Sequence, residues 1–215
     1  AFGTFDIAQI AMLSVVGGSN IPMWANIGFV MVLIGLLFKA AIAPFHFWAP
    51  DVYQGAPTLT TAVMSTLVKI AAIASLYKIV GVFFIGMTTE VRTLLAVLLV
   101  LTLLFGNITA LKQRNLKRIM GYSGISHAGF MLMTVLAFGN EFSANSLLYY
   151  GAAYSFAAIA AFSVILAATE GKDDEDISKI FGLGKRNPLL AVIMAFAMMS
   201  LGGIPIFAGF FAKMF

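Results

Sequence analysis

The 215 residues are 61% hydrophobic and 10% charged, with no cysteine and a mean hydropathy of +0.98. Such a composition excludes a water-soluble core and a disulfide framework, and it predicts an all-α, polytopic transmembrane helix bundle. The net charge of +4 does not predict nucleic-acid binding, because membrane proteins concentrate Lys and Arg in their cytoplasmic loops. The chain begins at Ala1 without a methionine and ends at Phe215 within an apolar run, so we expect a fragment of a larger bundle.

The first apolar segment, residues 4–16, is shorter than the roughly 20 residues that a membrane span requires. The run Gly17-Gly18-Ser19-Asn20 then predicts a turn. We therefore expect residues 1–21 to form an interfacial segment and a turn, followed by one membrane domain over residues 22–215.

About six spans are predicted within that domain. They cover residues 22–42, 58–85, 93–111, 119–138, 145–169, and a last span from Pro188 onward. The loops after the first, third and fifth spans lie on one side and hold most of the basic residues, which predicts that this side is cytoplasmic. These residues are Lys112, Arg114, Lys117, Arg118, Lys172, Lys179, Lys185 and Arg186.

The loop at 170–187 also holds an acidic run, residues 173–176. An acidic run between membrane helices is expected to be a solvated loop, and the alternative is a docking site for a soluble partner. Acidic residues contribute little to membrane orientation, so they do not alter the predicted sidedness.

The stretch FKAAIAPFHFWAPDVYQGAP, residues 38–57, places Lys39 in an apolar run that Pro44 then breaks. A proline interrupts the hydrogen-bond ladder of a helix, and lipid tolerates irregular backbone only where protein or a water-filled cavity covers it. One interpretation is an ion path beside Lys39. The other is an ordinary loop, with Lys39 reaching back to the headgroups.

A second break is predicted in the last span, where Gly202-Gly203-Ile204-Pro205 precedes Lys213. The glycine four residues before Lys213 repeats the spacing of Gly35 and Lys39. Two broken helices with this shared spacing are what an inverted repeat produces, although five residues make a short match.

Two lysines lie within the second span. Lys69 is eleven residues in, about 16 Å along the helix and near the middle of the membrane. A charge at this depth costs roughly 2.5–3.5 kcal/mol or more and usually faces a cavity or a partner, so Lys69 is a candidate for an ion pathway. Lys78 lies nearer the external end and is interpreted as an interface anchor.

His127 lies about 12 Å into the fourth span, among Ser123, Ser126 and Gly129. A histidine there can hydrogen-bond across helices or relay protons, and both interpretations stay open. Neither His46 nor His127 has a companion ligand nearby in the sequence, so no metal site is predicted.

Buried lysines suit proton transfer, because a low-dielectric site disfavours the ammonium form and makes protonation sensitive to neighbouring charge. Moving one charge across about 200 mV takes roughly 4.6 kcal/mol, which such a site can supply. The sequence contains no phosphate-binding glycine loop, no dinucleotide fingerprint, no nucleophile elbow and no paired histidines for haem. We therefore expect no cofactor bound by this chain.

Five motifs resemble one known family. They are the 38–57 stretch with Lys39, the helix with Lys69, NITALKQRNLKRIMGYSGISHAGF from Asn107, FGLGKRNPLLA from Phe181, and SLGGIPIFAGFFAKMF at the end. Together they are similar to the antiporter-like subunit N (subunit 2) family of NADH-quinone oxidoreductase, respiratory complex I. The motif DVYQGAP is more like subunit N than the paralogous subunits M and L or the Mrp-type antiporter subunits.

The resemblance implies a subunit of fourteen helices built on two inverted five-helix repeats, of which this chain resembles the seventh to twelfth helices. It implies a proton relay of Lys39, Lys69, His127 and Lys213, with helix breaks at Pro44 and Pro205. The glutamate that pairs with the seventh-helix lysine in the family would precede Ala1.

The function implied is a proton-translocating membrane-arm subunit of NADH:quinone oxidoreductase, in the bacterial plasma (inner) membrane, coupled to quinone reduction. Its implied partners are subunit M, the small membrane subunits and the lipid bilayer, while NADH, FMN, Fe–S clusters and quinone belong to other subunits. One alternative is an Mrp-like cation/proton antiporter subunit, and another is a structural spacer whose lysines only hold helices together.

Overall fold

The structure is a computed structural model that describes residues 3–17, 23–83, 89–169 and 175–214. These residues form helices joined by turns, with no β-strand among them. The helices are α1 (Ile7–Gly17), α2 (Met23–Ala40), α3 (Trp48–Gly55), α4 (Thr58–Val63), α5 (Lys69–Phe83), α6 (Thr89–Ala110), α7 (Leu116–Leu136), α8 (Ser143–Ala168), α9 (Leu183–Arg186), α10 (Pro188–Gly202) and α11 (Ala208–Met214). One π-helical turn, Met64–Val68, joins α4 to α5 as a single span.

Five helical segments are long and apolar enough to cross a membrane, and they match the first five predicted spans to within a few residues. They are Met23–Ala40, Thr58–Val82, Val91–Ala110, Leu116–Leu136 and Ser143–Ala168. The sixth span is divided between α10 and α11, as its glycines and proline predict. The prediction of an all-α polytopic bundle with broken helices is therefore confirmed.

The N-terminal segment forms α1, which packs against α5. Its position at the membrane interface stays a prediction. Residues 18–22, which include most of the predicted turn and the start of the first span, lie outside the described residues.

Helix α7 lies at the centre, packed against α3, α5, α6 and α8. It is the most buried of the five spans, and small residues let its neighbours approach closely. A Cβ built on Gly106 of α6 would lie 2.7 Å from the backbone nitrogen of Ser126 in α7. Contact between α6 and α7 therefore depends on glycine at this point.

The loops predicted to share one side meet at one end of the bundle. The backbone nitrogen of Leu116 donates to the Glu175 carbonyl, and that of Ile177 donates to the Arg114 carbonyl, both at 2.8 Å. The Lys117 ammonium donates to the carbonyl of Ala56, which follows α3, at 2.8 Å. The three loops therefore lie on one side, while the assignment of that side as cytoplasmic stays a prediction.

Glu175, in one of these loops, was wrongly expected to be solvated, and the nearby Lys117 is buried with it. Lys117 belongs to the first turn of α7 and is 1% exposed, and Glu175 is 3% exposed. They form an ion pair with each other, which is why burial is possible. Asp176 is not buried. Residues 170–174, which include Asp173 and Asp174, lie outside the described residues.

We predict that Gly106→Val in the full-length subunit destabilises the bundle by about 1–3 kcal/mol, because a larger residue overpacks the α6–α7 contact. The measurement is the thermal unfolding of the purified protein in detergent. Gly151→Ala is the matched control: a Cβ at this buried glycine would lie 3.4 Å or more from Ile70, an ordinary contact. Equal melting temperatures for Gly106→Val and the wild type would contradict this view of the α6–α7 contact.

Candidate functional site

Lys69 is buried inside the bundle, at the first position of α5. Its side chain is 2% exposed, and its Nζ atom has no hydrogen-bond partner among the described residues. The ring centroid of Tyr53 lies 5.9 Å from Nζ. An ammonium group in this position has an aromatic face nearby but no counter-ion within the part of the chain that the structure describes.

The π-helical turn before Lys69 supplies a polar wall for this site. Ser65 lies in that turn, and its Oγ atom is 2.8 Å from the hydroxyl of Tyr154 on α8. The Tyr154 hydroxyl also donates to the Ser65 carbonyl at 3.2 Å. A π-helical turn alters the backbone hydrogen bonds of its helix. Here the Tyr154 hydroxyl of α8 donates to one carbonyl of the turn, that of Ser65.

Gly124 of α7 brings Lys69 and these hydroxyl groups together. A Cβ built on Gly124 would lie 2.7 Å from Lys69 Nζ, 3.0 Å from the Tyr154 hydroxyl and 3.7 Å from Ser65 Oγ. The three polar atoms therefore surround one small patch of α7. Glycine leaves the space that they occupy.

His127 follows Gly124 by about one turn of α7 and is 6% exposed. Its Nδ1 atom lies 2.7 Å from the Tyr150 hydroxyl, and its ring centroid lies 4.9 Å from that of Tyr154. Tyr154 therefore contacts the Lys69 side of α7 through its hydroxyl and His127 through its ring. Both proposed roles of His127 remain compatible with this geometry, because the bond to Tyr150 crosses between helices.

A cavity of about 10 Å³ lies between His127, Tyr150 and Tyr154 on one side and α10 and α11 on the other. This is close to the least volume that holds one water molecule. The cavity reaches Leu201 and Ala212, next to the residues that surround Lys213. It connects the central helices to the second break.

Lys213 lies on α11 and folds back over the end of α10. Its Nζ atom donates to the carbonyls of Leu201 at 2.9 Å and Gly202 at 3.2 Å, and it lies 4.9 Å from the Phe130 ring centroid. A cation at a helix C-terminus stabilises the free carbonyls there. A wider cavity of about 280 Å³ runs from Lys213 and Tyr150 to Asn140 and Ser143 at the α7–α8 loop.

The second break itself is a helix end followed by a tight turn. Gly203 has φ +81°, and the backbone nitrogens of Gly203 and Ile204 donate to the Met199 carbonyl at 3.0 Å. Pro205 follows within the turn. These contacts satisfy the backbone where the helix stops, as a membrane-embedded break requires.

The first break occupies residues 41–47 and contains Pro44. Ala41, Ile42 and Ala43 are buried, whereas Pro44 and Phe47 are exposed. The backbone nitrogen of Ala43 donates to Thr102 Oγ1 of α6 at 3.0 Å. His46 is 3% exposed, and its Nδ1 has no partner among the described residues. The start of the break, residues 41–43, is thus covered by protein. Admission of water at either break stays a prediction.

Lys39 is exposed in the last turn of α2. The structure brings Lys69 and His127 together through Tyr154, and it links His127 to the Lys213 region through the small cavity. It does not bring Lys39 into that group within the described residues. Lys78 is also exposed.

Sequence reasoning missed Ser65, Gly124, Tyr150 and Tyr154. The available signal was the spacing of Tyr150 and Tyr154, four residues apart in an uncharged span, which places both on one face of α8. Nothing in the sequence alone shows that this face meets Lys69 and His127. No cluster of three or more His, Asp or Glu residues able to hold a metal occurs in the described part.

Comparison with known proteins identifies the family. A family profile described as "NADH:quinone oxidoreductase/Mrp antiporter, TM" matches residues 1–215. NADH-quinone oxidoreductase subunit N of Flavobacterium johnsoniae is 51% identical, over 100% of this chain and 47% of the relative. The chain belongs to the NADH:quinone oxidoreductase/Mrp antiporter family. It spans about half the length of the curated relatives that it matches.

Solved structures share the fold of this chain. A chain of respiratory complex I from Thermus thermophilus with bound aureothin is 33% identical, with a TM-score of 0.73 over 97% of this chain and 48% of that one. A chain of the Mrp complex from Dietzia is 28% identical, with a TM-score of 0.82 over 99% of this chain and 38% of that one. The predicted resemblance to subunit N, the antiporter-like fold and the multi-pass inner-membrane location are confirmed.

We predict that Gly124→Ala displaces the Lys69 ammonium group from the Tyr154 hydroxyl, because the new methyl group would occupy the space beside both. The measurement is an experimental structure of the variant full-length subunit in its assembled complex. Gly151→Ala again serves as the control, since its methyl would meet only Ile70. An unchanged Lys69 position in the Gly124→Ala structure would show that the neighbouring helices shift instead.

Proposed function

We propose that this chain is part of the proton-translocating membrane arm of NADH:quinone oxidoreductase. The observation that carries the proposal is the buried Lys69, whose Nζ has no hydrogen-bond partner in the described residues. It lies beside the hydroxyl groups of Ser65 and Tyr154, and the Tyr154 ring packs against His127. An isolated charge inside a membrane bundle is costly unless it has a function. The names of the relatives supply the reaction class.

The proposed relay consists of Lys69, His127 and Lys213, with Lys39 joining it through parts of the subunit outside the described residues. Lys69 exchanges a proton with the hydroxyl pair of Ser65 and Tyr154, and His127 exchanges one with Tyr150 and with water in the adjoining cavity. Lys213 then receives or releases the proton beside the wider cavity that opens toward the α7–α8 loop. Each step needs a group that both accepts and donates, which lysine, histidine, hydroxyl and water provide.

The energy for this transfer comes, in our proposal, from quinone reduction elsewhere in the complex. The partners are the antiporter-like subunit M and the small membrane subunits, and NADH, FMN, Fe–S clusters and quinone are bound by other subunits. In this proposal the chain is a subunit of a translocating enzyme whose redox centres are bound by other subunits. The proposal that this chain is one subunit of a larger oxidoreductase is supported by relatives that are named as subunits of that enzyme.

An Mrp-like cation/proton antiporter is the alternative, and the likeness to the Dietzia Mrp chain favours it as a second candidate. That TM-score is higher than the one for complex I, but the fold is common to both and does not separate them. Sequence identity does separate them: the subunit N relative is 51% identical and the Mrp chain 28%. A Na⁺ gradient that drives proton flux in vesicles holding the full-length subunit alone would support the antiporter.

We predict that Lys69→Ala lowers the number of protons pumped per NADH oxidised, because it removes the buried proton carrier. Pumping is measured in vesicles that contain the assembled complex with the full-length subunit. Lys78→Ala is the matched control, since Lys78 lies on the same helix α5 and is exposed. It should leave pumping unchanged.

Two outcomes would contradict the proposed relay. If the Lys69→Ala complex assembles and pumps as well as the wild type, Lys69 is not on the path. If the variant harms only assembly, and the complex that does form pumps normally, the lysine has the structural role of the spacer alternative.

We predict a smaller loss for Tyr154→Phe. Removing a hydroxyl that makes two hydrogen bonds costs about 1 kcal/mol or more, which corresponds to a several-fold slower step. The ring remains to pack against His127, so assembly should be kept. The rate of proton pumping at saturating NADH is the measurement, and Tyr149→Phe, at an exposed tyrosine of the same helix, is the control. Equal rates for both variants would remove Tyr154 from the relay.

A further inference from the structure

The buried ion pair between Lys117 and Glu175 lies outside the proposed relay. Lys117 Nζ is 2.7 Å from Glu175 Oε1, and the two side chains are 1% and 3% exposed. Lys117 is in the first turn of α7, and Glu175 precedes the short helical turn Ile177–Ile180. A pair this buried, formed by residues 58 positions apart in the sequence, calls for a physical reason.

The pair also holds the junction between α3 and α4. Lys117 Nζ donates to the Ala56 carbonyl at 2.8 Å, and Thr58 Oγ1 donates to Glu175 Oε1 at 3.3 Å. Backbone hydrogen bonds link Leu116 to Glu175 next to the pair. Three segments are therefore fixed to one another at the end of the bundle where the basic loops meet.

From this junction, contacts lead directly to Lys69. Lys117, Gly121 and Gly124 are spaced four and three residues apart, so they share one face of α7, and Gly124 is about 10 Å along the helix from Lys117. Gly121 packs on Tyr53, with its Cβ position 3.3 Å from Tyr53 Cδ2. The Tyr53 ring in turn faces Lys69 Nζ.

The backbone gives a second connection. Thr61 Oγ1 of α4 donates to the Tyr53 carbonyl of α3 at 3.1 Å. This hydrogen bond joins the helix that precedes Ala56 to the helix that follows it. A shift of this junction moves Tyr53. Among the described residues, Tyr53 has the only aromatic ring that faces the Lys69 ammonium at cation–π distance.

Stability alone is a weak reason for such a pair. Replacing a buried ion pair with apolar residues is often neutral or stabilising, because desolvation offsets the attraction between the charges. A pair of charges does fix the relative position of the segments that carry it more narrowly than apolar contacts do.

We propose that Lys117 and Glu175 are positioning residues for proton transfer at Lys69. By locking the α3–α4 junction against α7, the pair holds Tyr53 against the Lys69 ammonium and sets the environment in which that group gains and loses its proton. This inference rests on the proposed function.

The test uses the assembled complex with the full-length subunit, and it measures three quantities: the amount of complex, the rate of NADH oxidation and the protons pumped per NADH. The variants are Glu175→Gln, Lys117→Met and the reversed pair Lys117→Glu with Glu175→Lys. Lys112→Met is the matched control, because it neutralises an exposed lysine just before α7.

The expected result is a several-fold loss of protons per NADH in Glu175→Gln and Lys117→Met, with a smaller change in NADH oxidation per assembled complex. The reversed pair should recover more of the proton yield than either single variant. Lys112→Met should match the wild type in all three measurements.

Two results would overturn the proposal. The first is a wild-type proton yield per assembled complex in the single variants. The second is loss of assembly in every variant, the reversed pair included, which would give the pair a purely structural role. Lys69→Ala is measured beside them: if it loses pumping while the pair variants do not, this inference fails and the proposed function stands.

Discussion

Lipid offers no hydrogen bonds, and the rest of this structure follows from that constraint. Wherever the chain leaves regular helix, a protein group replaces the missing partner. Thr102 accepts from the nitrogen of Ala43 in the first break. Lys213 donates to the carbonyls of Leu201 and Gly202 at the second. Against this background, a buried ammonium group without a partner in the described residues is the exception that marks the site.

Helix α7 shows that packing and chemistry use the same residues. Its neighbours approach closely because glycine or another small residue stands at each contact, as at Gly121 against Tyr53 and Gly124 against Lys69. The absence of a side chain at Gly124 lets the helices pack closely, and it also leaves room for the polar atoms of Lys69, Tyr154 and Ser65. The same positions of this helix therefore serve close packing and, in the proposed relay, proton transfer.

The fold followed from the sequence because its determinants are local. Apolar length predicts each span, and proline or paired glycine predicts each break, without knowledge of what lies opposite. The site depends on contacts between distant segments, and there the sequence showed less. Lys69 could be recognised from its depth, but its neighbour Tyr154 lies 85 positions later, and no local pattern joins the two. Glu175 was assigned to a solvated loop, because a count of charges per loop does not reveal that this carboxylate is buried in an ion pair with Lys117.

The π-helical turn Met64–Val68 determines the direction in which Lys69 points. A π-helical turn holds one residue more than an α-helical turn, so it rotates the helix that follows by about 100° relative to the helix before it. The whole of α5 is therefore rotated by this angle. Removal of one residue from the turn would leave the length and hydropathy of the span almost unchanged, yet it would carry Lys69 to a different face of the bundle. Two homologous sequences could thus agree in every span and still differ in whether their central lysine faces the interior.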